Sequence, residues 1–536
     1  MRITIGPFLG MRPAEEPHLL GQNEAQVALD TRMETGAVEG LPASTNLLSL
    51  TVGGARGLWR YPAALETNYW FNFANYANVA RSPTIDDVHD RIYWTDGIGP
   101  KYAPASLAIS GAAYPGGFYK LGIPVPTSTI SAAGTTGTAE SRTYAESFLS
   151  AYDEEGAPGP LSPVIDIDPT QAVTLSNLSP APTGNYNIDR RMIWRSVLVN
   201  GSQGSLQLVD TIPIADTTYV DTKESTGREN TASTFLPPPD SGFGLRVTEG
   251  GVGILLNGRQ VHMSEPDLLH AWNPDYIQSL QVDPVAVSCF GQMVVILTKG
   301  EPYVGMGIEP AAIQLSRISD SQACLSAAGV TESKFGCLYP SPEGLIAIGS
   351  DGIPQNVTAQ FMTQRQWLAY NPSSFIAVMQ RAQYHAYFTR TDGSTGELVI
   401  DPTGQTAPIT ERSQIAGQAV TAAFRDPFTD YAYVARNGQI QRVEKDGAPQ
   451  TYRWRSRNFR ASQDMLLDGF IVFGDAGTVT FRAFAKGVLK FEKTLPTNKA
   501  SRMGRIGRQN DWAFEIESSV KVTEIRVAPS IQELFE

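Results

Sequence analysis

The feature that most constrains this chain is the recurrence of tight hairpin turns between short apolar runs. Asp96-Gly97, Asn257-Gly258, Asp351-Gly352, Asp392-Gly393 and Asn437-Gly438 each close or join runs rich in aromatic and β-branched residues. Such dipeptides supply the positive φ angles that two-residue hairpins need. The hairpins fall in two blocks, and residues 123–227 between them read as a separate β-module. The chain has 49 Gly, 36 Pro, 20 Tyr and 22 Phe, a balance that suits pleated, half-buried surfaces over helices. An all-β fold is expected, and 536 residues are too many for one core.

Residues 1–50 are rich in turn formers and read as an N-terminal arm reaching a neighbouring subunit or as lead-in strands closing the chain's own sheet. Residues 51–122 carry three strand-like runs, Gly57 to Tyr61, Tyr69 to Phe73 and Arg91 to Thr95. Three strands cannot complete a domain, so partners must come from beyond the module. Within 123–227, the runs Arg142 to Phe148, Val173 to Leu178, Met192 to Ser196 and Tyr219 to Thr222 have the spacing of a small β-sandwich. Their order resembles a fibronectin type III module. Residues 228–450 resume the hairpins, with runs such as Gly253 to Met263, Met293 to Thr298, Gly344 to Gly349 and Glu397 to Asp401. A β-propeller built from both blocks is the closed solution that removes open sheet edges. No strict repeat fixes its blade number. Residues 451–536 read as a C-terminal β-sandwich.

The chemistry-bearing patterns are few. There is no Gly-x-Ser-x-Gly elbow, no phosphate-loop Lys-Ser/Thr signature and no His-Glu-x-x-His, so no catalytic residue, cofactor site or metal site is expected. The five histidines, at 18, 89, 262, 270 and 385, follow no metal spacing. The acidic groups Asp86-Asp87, Asp153-Glu154-Glu155 and Asp166 with Asp168 fall on expected loops and edges, where they read as solvated. A glycoside-cleaving carboxylate pair, distant in the chain and close in space, is the enzymatic alternative. Cys289, Cys324 and Cys337 lack CxxC spacing and read as reduced thiols. No uninterrupted apolar run reaches the roughly 18 residues a membrane helix needs, and the first residues hold no long apolar run, so no signal peptide is expected there.

Charge is unevenly placed along a chain of net −12. Residues 1–240 hold 25 Asp/Glu against 15 Lys/Arg, while residues 451–508 hold 12 Lys/Arg against 4 Asp/Glu. Arg453, Arg455 and Arg457 alternate along one expected strand, with Tyr452, Trp454 and Phe459 directed to its core face. Arg460, Arg502, Arg505 and Arg508 extend the cluster. Guanidinium groups bind carboxylates and phosphates alike, so three readings stand: a protein dock, a phosphate track and a solvated strand face. The acidic body opposes long-range approach of a polyanion, which makes subunit or adaptor contacts the expected role of these seven arginines.

Several segments together resemble one family. They are Asp90-Arg91-Ile92-Tyr93-Trp94-Thr95-Asp96-Gly97 followed by Pro100-Lys101, and Tyr119-Lys120-Leu121-Gly122-Ile123-Pro124 ahead of the inserted module. Val287-Ser288-Cys289-Phe290-Gly291-Gln292 leads into Leu297-Thr298-Lys299-Gly300-Glu301-Pro302, and Arg502 to Arg508 lies in the last sandwich. The combination resembles the nozzle or hub proteins of short-tailed bacteriophages, the tail tubular and DNA-stabilising family. The resemblance implies a virion structural protein assembled in the bacterial host cytoplasm, forming a ring, a hexamer in that family. It would sit below the head-to-tail adaptor, beside tail fibres or spikes. Such a ring extends the channel for double-stranded DNA, closes it after packaging and opens it on ejection. A receptor- or glycan-binding propeller is the rival expectation.

Overall fold

The computed structural model describes residues 2–199, 202–318, 322–403, 409–413, 418–444, 447–504 and 506–536. Among them the fold is all-β: two short α-helices, Ala105–Ala108 and Gln364–Leu368, accompany a long succession of strands. No helix is long and apolar enough to cross a membrane. The chain divides into two compact units, one of residues 1–74, 297–302 and 318–536, the other of residues 75–296 and 303–317. Residues 57–73 and 78–120, neighbours in sequence, therefore belong to different units.

The first unit is organised by the N-terminal residues. Ile3–Ile5 pairs antiparallel with Val522–Ala528, Ala25–Leu29 with Tyr452–Ser456, and Thr45–Ser49 with Gln439–Arg442. These three N-terminal strands thus join sheets formed by residues 439–528 of the same chain. Apolar alternation drives this. Ile3 and Ile5 are buried, and Phe8 meets Trp454 edge to face at 4.8 Å while the Trp454 indole N–H donates to the Leu9 carbonyl at 3.1 Å. Aromatic pairs of this kind add to the burial of their area.

The C-terminal residues form two facing sheets. One orders Ile3–Ile5, Val522–Ala528, Gly469–Gly474 and Ser501–Arg502, and the other contains Tyr452–Ser456, Gln509–Ser518, Thr478–Ala485 and Val488–Pro496. Phe470 from the first sheet stacks on Phe481 of the second at 4.1 Å, and Phe481 on Phe514 at 5.9 Å. Inward residues alternate with polar outward ones, as a two-layer core requires.

Beside these lie four-stranded antiparallel sheets formed almost wholly by consecutive strands. In the first unit one spans residues 331–356. A second, 376–413, continues through Ala25–Leu29 into the C-terminal sheet, and a third, 420–442, takes Thr45–Ser49 as its outer strand. The second unit holds sheets spanning residues 78–120 and 243–272, the latter with a fifth strand Gln278–Ser279. Its strands Pro284–Phe290, Tyr303–Met306 and Ser316–Arg317 belong to a further four-stranded sheet.

The strands of residues 131–221 make a three-stranded sheet, Ser131–Gly134, Val173–Ser176 and Tyr219–Asp221, and a five-stranded one built on Thr136–Ser150 and Ile188–Val199. Both sheets contribute to one apolar cluster containing Tyr144, Ile167, Val173, Leu175, Ile193 and Val209.

The acidic loops divide in a way the sequence does not announce. Asp86 and Asp166 are exposed, as expected, and Asp168 is half-buried. Glu154 is not: it is buried, bonded by Arg91 at 2.6 Å and by the Ser150 hydroxyl at 3.3 Å, with His270 Nδ1 at 3.8 Å. Asp87 accepts the Arg91 Nε–H at 2.7 Å. Burial opposes its ionisation, yet the hydrogen bonds from Arg91, Ser82 and His89 hold its carboxyl below the usual range. The solvated reading fails at Glu154 because the loop turns inward on Arg91, at the start of the strand Ile92–Thr95. All three cysteines stand as thiols, and burial pushes Cys324 up to about 12.

Candidate interaction surface

The arginines of the C-terminal sheet are the strongest constellation in the sequence. In Tyr452–Ser456, Tyr452 and Trp454 are buried while Arg453 is exposed and Arg455 half-buried. Strand alternation thus sets both arginines on the outer face. The register then decides what they meet. Arg455 stands opposite Glu515, Glu515 opposite Arg482, and Arg482 opposite Glu492.

The side chains follow the register. Arg455 Nε lies 2.8 Å from Glu515, and Arg482 reaches Glu515 at 2.9 Å, Glu517 at 2.6 Å and Glu492 at 2.8 Å. The Arg455 guanidinium also covers the Phe484 ring at 3.8 Å. Charges alternate across four strands, and cross-strand pairs of opposite sign are the favourable arrangement. This part of the face is a self-neutralising ladder, without the continuous positive potential that a phosphate track needs.

The remaining arginines are placed as follows. Arg457 lies just past the strand and donates to the His18 carbonyl at 2.7 Å. Arg460 bonds Asp511 at 3.1 Å. Arg502 is 71% exposed in its side chain and 3.9 Å from Asp468. Arg508 is exposed, and Arg505 lies outside the described residues. The structure therefore brings Arg453 and Arg455 onto one face, binds Arg457 and Arg460 within the chain, and leaves Arg453, Arg502 and Arg508 facing outward. Over 451–536 the balance is 14 Lys/Arg to 10 Asp/Glu, because Asp511, Glu515 and Glu517 follow the basic stretch.

A second charged group has no signature in the sequence. His385 Nδ1 lies 2.7 Å from Glu397, Arg412 lies 3.2 Å from the other Glu397 oxygen, and Arg412 also bonds Glu444, which Arg381 approaches at 3.5 Å. His385, Glu397, Arg412 and Glu444 are all buried. Burial opposes the Glu397 charge, but Arg412, then His385 and Arg436, hold its carboxyl down to about 2. A histidine oriented by a carboxylate resembles part of a hydrolytic triad. The adjoining cavity, lined by Thr410 and Glu444, is about 30 Å³, room for about one water and no substrate. The network cross-links Gln383–Thr389, Thr395–Ile400 and Ile409–Ser413 through side chains.

A larger cavity of about 560 Å³ opens in the second unit between Ile98, Lys101, Phe118, Lys120, Pro238 and Asp240. Lys101 is bonded to Asp96 at 2.8 Å and sits 4.7 Å from the Phe118 ring centre. Among the described residues, no group of His, Cys, Asp and Glu is arranged to hold a metal ion.

No protein family matches the chain, and no curated protein does. Among solved structures, the chain is similar to the crystal structure of Kluyvelomyces marxianus Hsv2, at 9% identity and a TM-score of 0.25 over 46% of this chain and 70% of that one. It is also similar to the extracellular domain of the putative one component system BT4673 from B. thetaiotaomicron, at 10% identity and a TM-score of 0.28 over 94% of this chain and 81% of that one. Superpositions this loose carry no argument about fold or activity.

Proposed function

We propose that the chain is a structural subunit of a bacteriophage tail, of the nozzle or hub class. It assembles as a ring, a hexamer by its sequence resemblance, below the head-to-tail adaptor. The ring extends the DNA channel, closes it after packaging and permits ejection. In this reading the four-stranded meanders are propeller blades, the last of them completed by Thr45–Ser49, and residues 123–227 are an inserted fibronectin type III-like module. The subunit has no catalytic role.

The observation that carries the proposal is the sewing of the chain's N-terminal strands into sheets more than 380 positions away, as Ile3 to Val527 and Ser49 to Gln439. Force from passing DNA would load paired sheets instead of a free terminus, which suits a conduit wall. The net charge of −12 agrees, since a conduit should repel phosphates that are not driven through it. Electron microscopy of the purified chain tests this. A ring with a central hole supports the proposal, and a compact monomer or a trimeric spike sinks it.

A receptor- or glycan-binding propeller is the second reading, favoured by the 560 Å³ cavity beside the exposed Phe118 ring. Its volume falls in the range of ligand pockets. Binding on a surface-polysaccharide panel, lost in Phe118→Ala, would favour this reading over the first.

A further inference from the structure

Two exposed apolar pairs stand on opposite kinds of charge. The first is the start of the edge strand Val488–Pro496, which among the described residues pairs only with Thr478–Ala485 and so leaves its outer backbone row open. Val488 and Leu489 are 56% and 45% exposed at its start, next to the turn Lys486-Gly487. Lys486, Lys490 and Lys493 lie around them, with Lys486 and Lys490 exposed, and Glu492 on the same strand is bonded to Arg482. Open edges are ready-made templates for another chain.

The second pair is Ile85 and Val88, 88% and 90% exposed, on the loop 82–90. Asp86 is exposed between them, and Asp90 is bonded to Arg81 at 2.6 Å. This loop is held in place: Asp87 accepts from the His89 and Arg91 backbone N–H groups at 3.1 and 3.2 Å, and the Thr84 hydroxyl donates to the Asp267 carbonyl at 3.3 Å. Apolar side chains that a fixed loop presents to water bind with little loss of conformational freedom. Large contiguous apolar patches mark interaction sites, and these two pairs would form one when brought together.

We propose that the Lys486–Lys490 tip of one copy of this chain docks on the Ile85–Val88 loop of the next copy. Val488 and Leu489 meet Ile85 and Val88 at the centre, and the lysines face Asp86 at the rim, an apolar core with a charged border. The contact joins two different patches, so it is head-to-tail, the kind that closes a ring when the rotation between copies divides the circle. It rests on the ring reading above and names that ring's contact.

Mixing two variants tests the contact. The tip variant carries Val488→Asp and Leu489→Asp, and the loop variant carries Ile85→Asp and Val88→Asp. All four positions are exposed, so each variant is expected to keep the wild-type thermal transition. By sedimentation, each alone should run as a single chain of 58.1 kDa, its association weakened roughly 30-fold or more. Mixed one to one, they should form a dimer and go no further, because one intact tip meets one intact loop. A variant ring that still closes, or a mixture that stays monomeric, overturns this contact while the wild-type ring stands. A monomeric wild type overturns both the ring reading and the contact. If the aspartate variants do not fold, the milder pair Lys486→Glu with Lys490→Glu takes their place: weakened assembly, partly rescued by Asp86→Lys, supports the contact, and unchanged assembly overturns it.

Discussion

Two charged networks in the first unit are both built on arginine–glutamate pairs and do different work. The outer ladder Arg455, Glu515, Arg482 and Glu492 is partly wet, whereas His385, Glu397, Arg412 and Glu444 are shut away from water. Exposed pairs contribute about 0–1 kcal/mol each because solvent screens them. Buried pairs gain little over an apolar core, yet breaking one strands an uncompensated charge at about 3–5 kcal/mol. The ladder therefore sets surface potential, and the buried network fixes how three strands sit together.

Substitution separates the two. The largest expected effect is Arg412→Ala, which removes the guanidinium that Glu397 and Glu444 share and should destabilise by about 3–5 kcal/mol. Calorimetry of the full chain should show one transition moved strongly downward; a shift within error would mean the network is solvated. Phe8→Ala, which opens the contact with Trp454, should cost about 3 kcal/mol and lower the same transition. If it leaves stability unchanged, residues 1–50 behave as an arm and not as core strands.

The acid limb sharpens the contrast. Glu397 ionises in the folded chain near 2, below its ordinary 4.5, so its contribution is complete above that ordinary value and is lost as pH falls toward 2. Acid unfolding of Glu397→Gln should be shallower than wild type over this window; parallel curves would contradict the assignment. The smallest effects belong to the surface: about 1 kcal/mol for Arg482→Ala, reduced by salt, and within about 0.5 kcal/mol for Arg502→Ala. Urea midpoints at two salt concentrations distinguish them from the buried set.

How much of this the sequence discloses depends on distance along the chain. The Asn437-Gly438 turn is legible because both residues take positive φ, 50° and 70°, as its dipeptide implies. The hairpin between Gln380 and Gln383 is not, since Arg381 and Ala382 adopt φ of 50° and 62° without glycine or asparagine. The alternation of Arg453 and Arg455 is readable, but their partners are not, because Glu515 and Glu517 are set by register some 60 positions on. The basic stretch 451–508 ends just before the strand that neutralises it. Glu154 reads as solvated because nothing local marks a loop that folds onto Arg91. Residues 1–50 leave two readings open, since pairing with residues 439–528 depends on sheets completed by the far end of the chain.

The central proposal is that the C-terminal arginines serve protein contacts and not DNA. Titration of duplex DNA against the purified chain between about 50 and 200 mM salt tests it most directly. The account predicts no saturable binding at the upper salt and little difference between wild type and the triple variant Arg453→Ala, Arg502→Ala, Arg508→Ala. Tight binding with a steep salt slope in the wild type, lost in the triple variant, would contradict it.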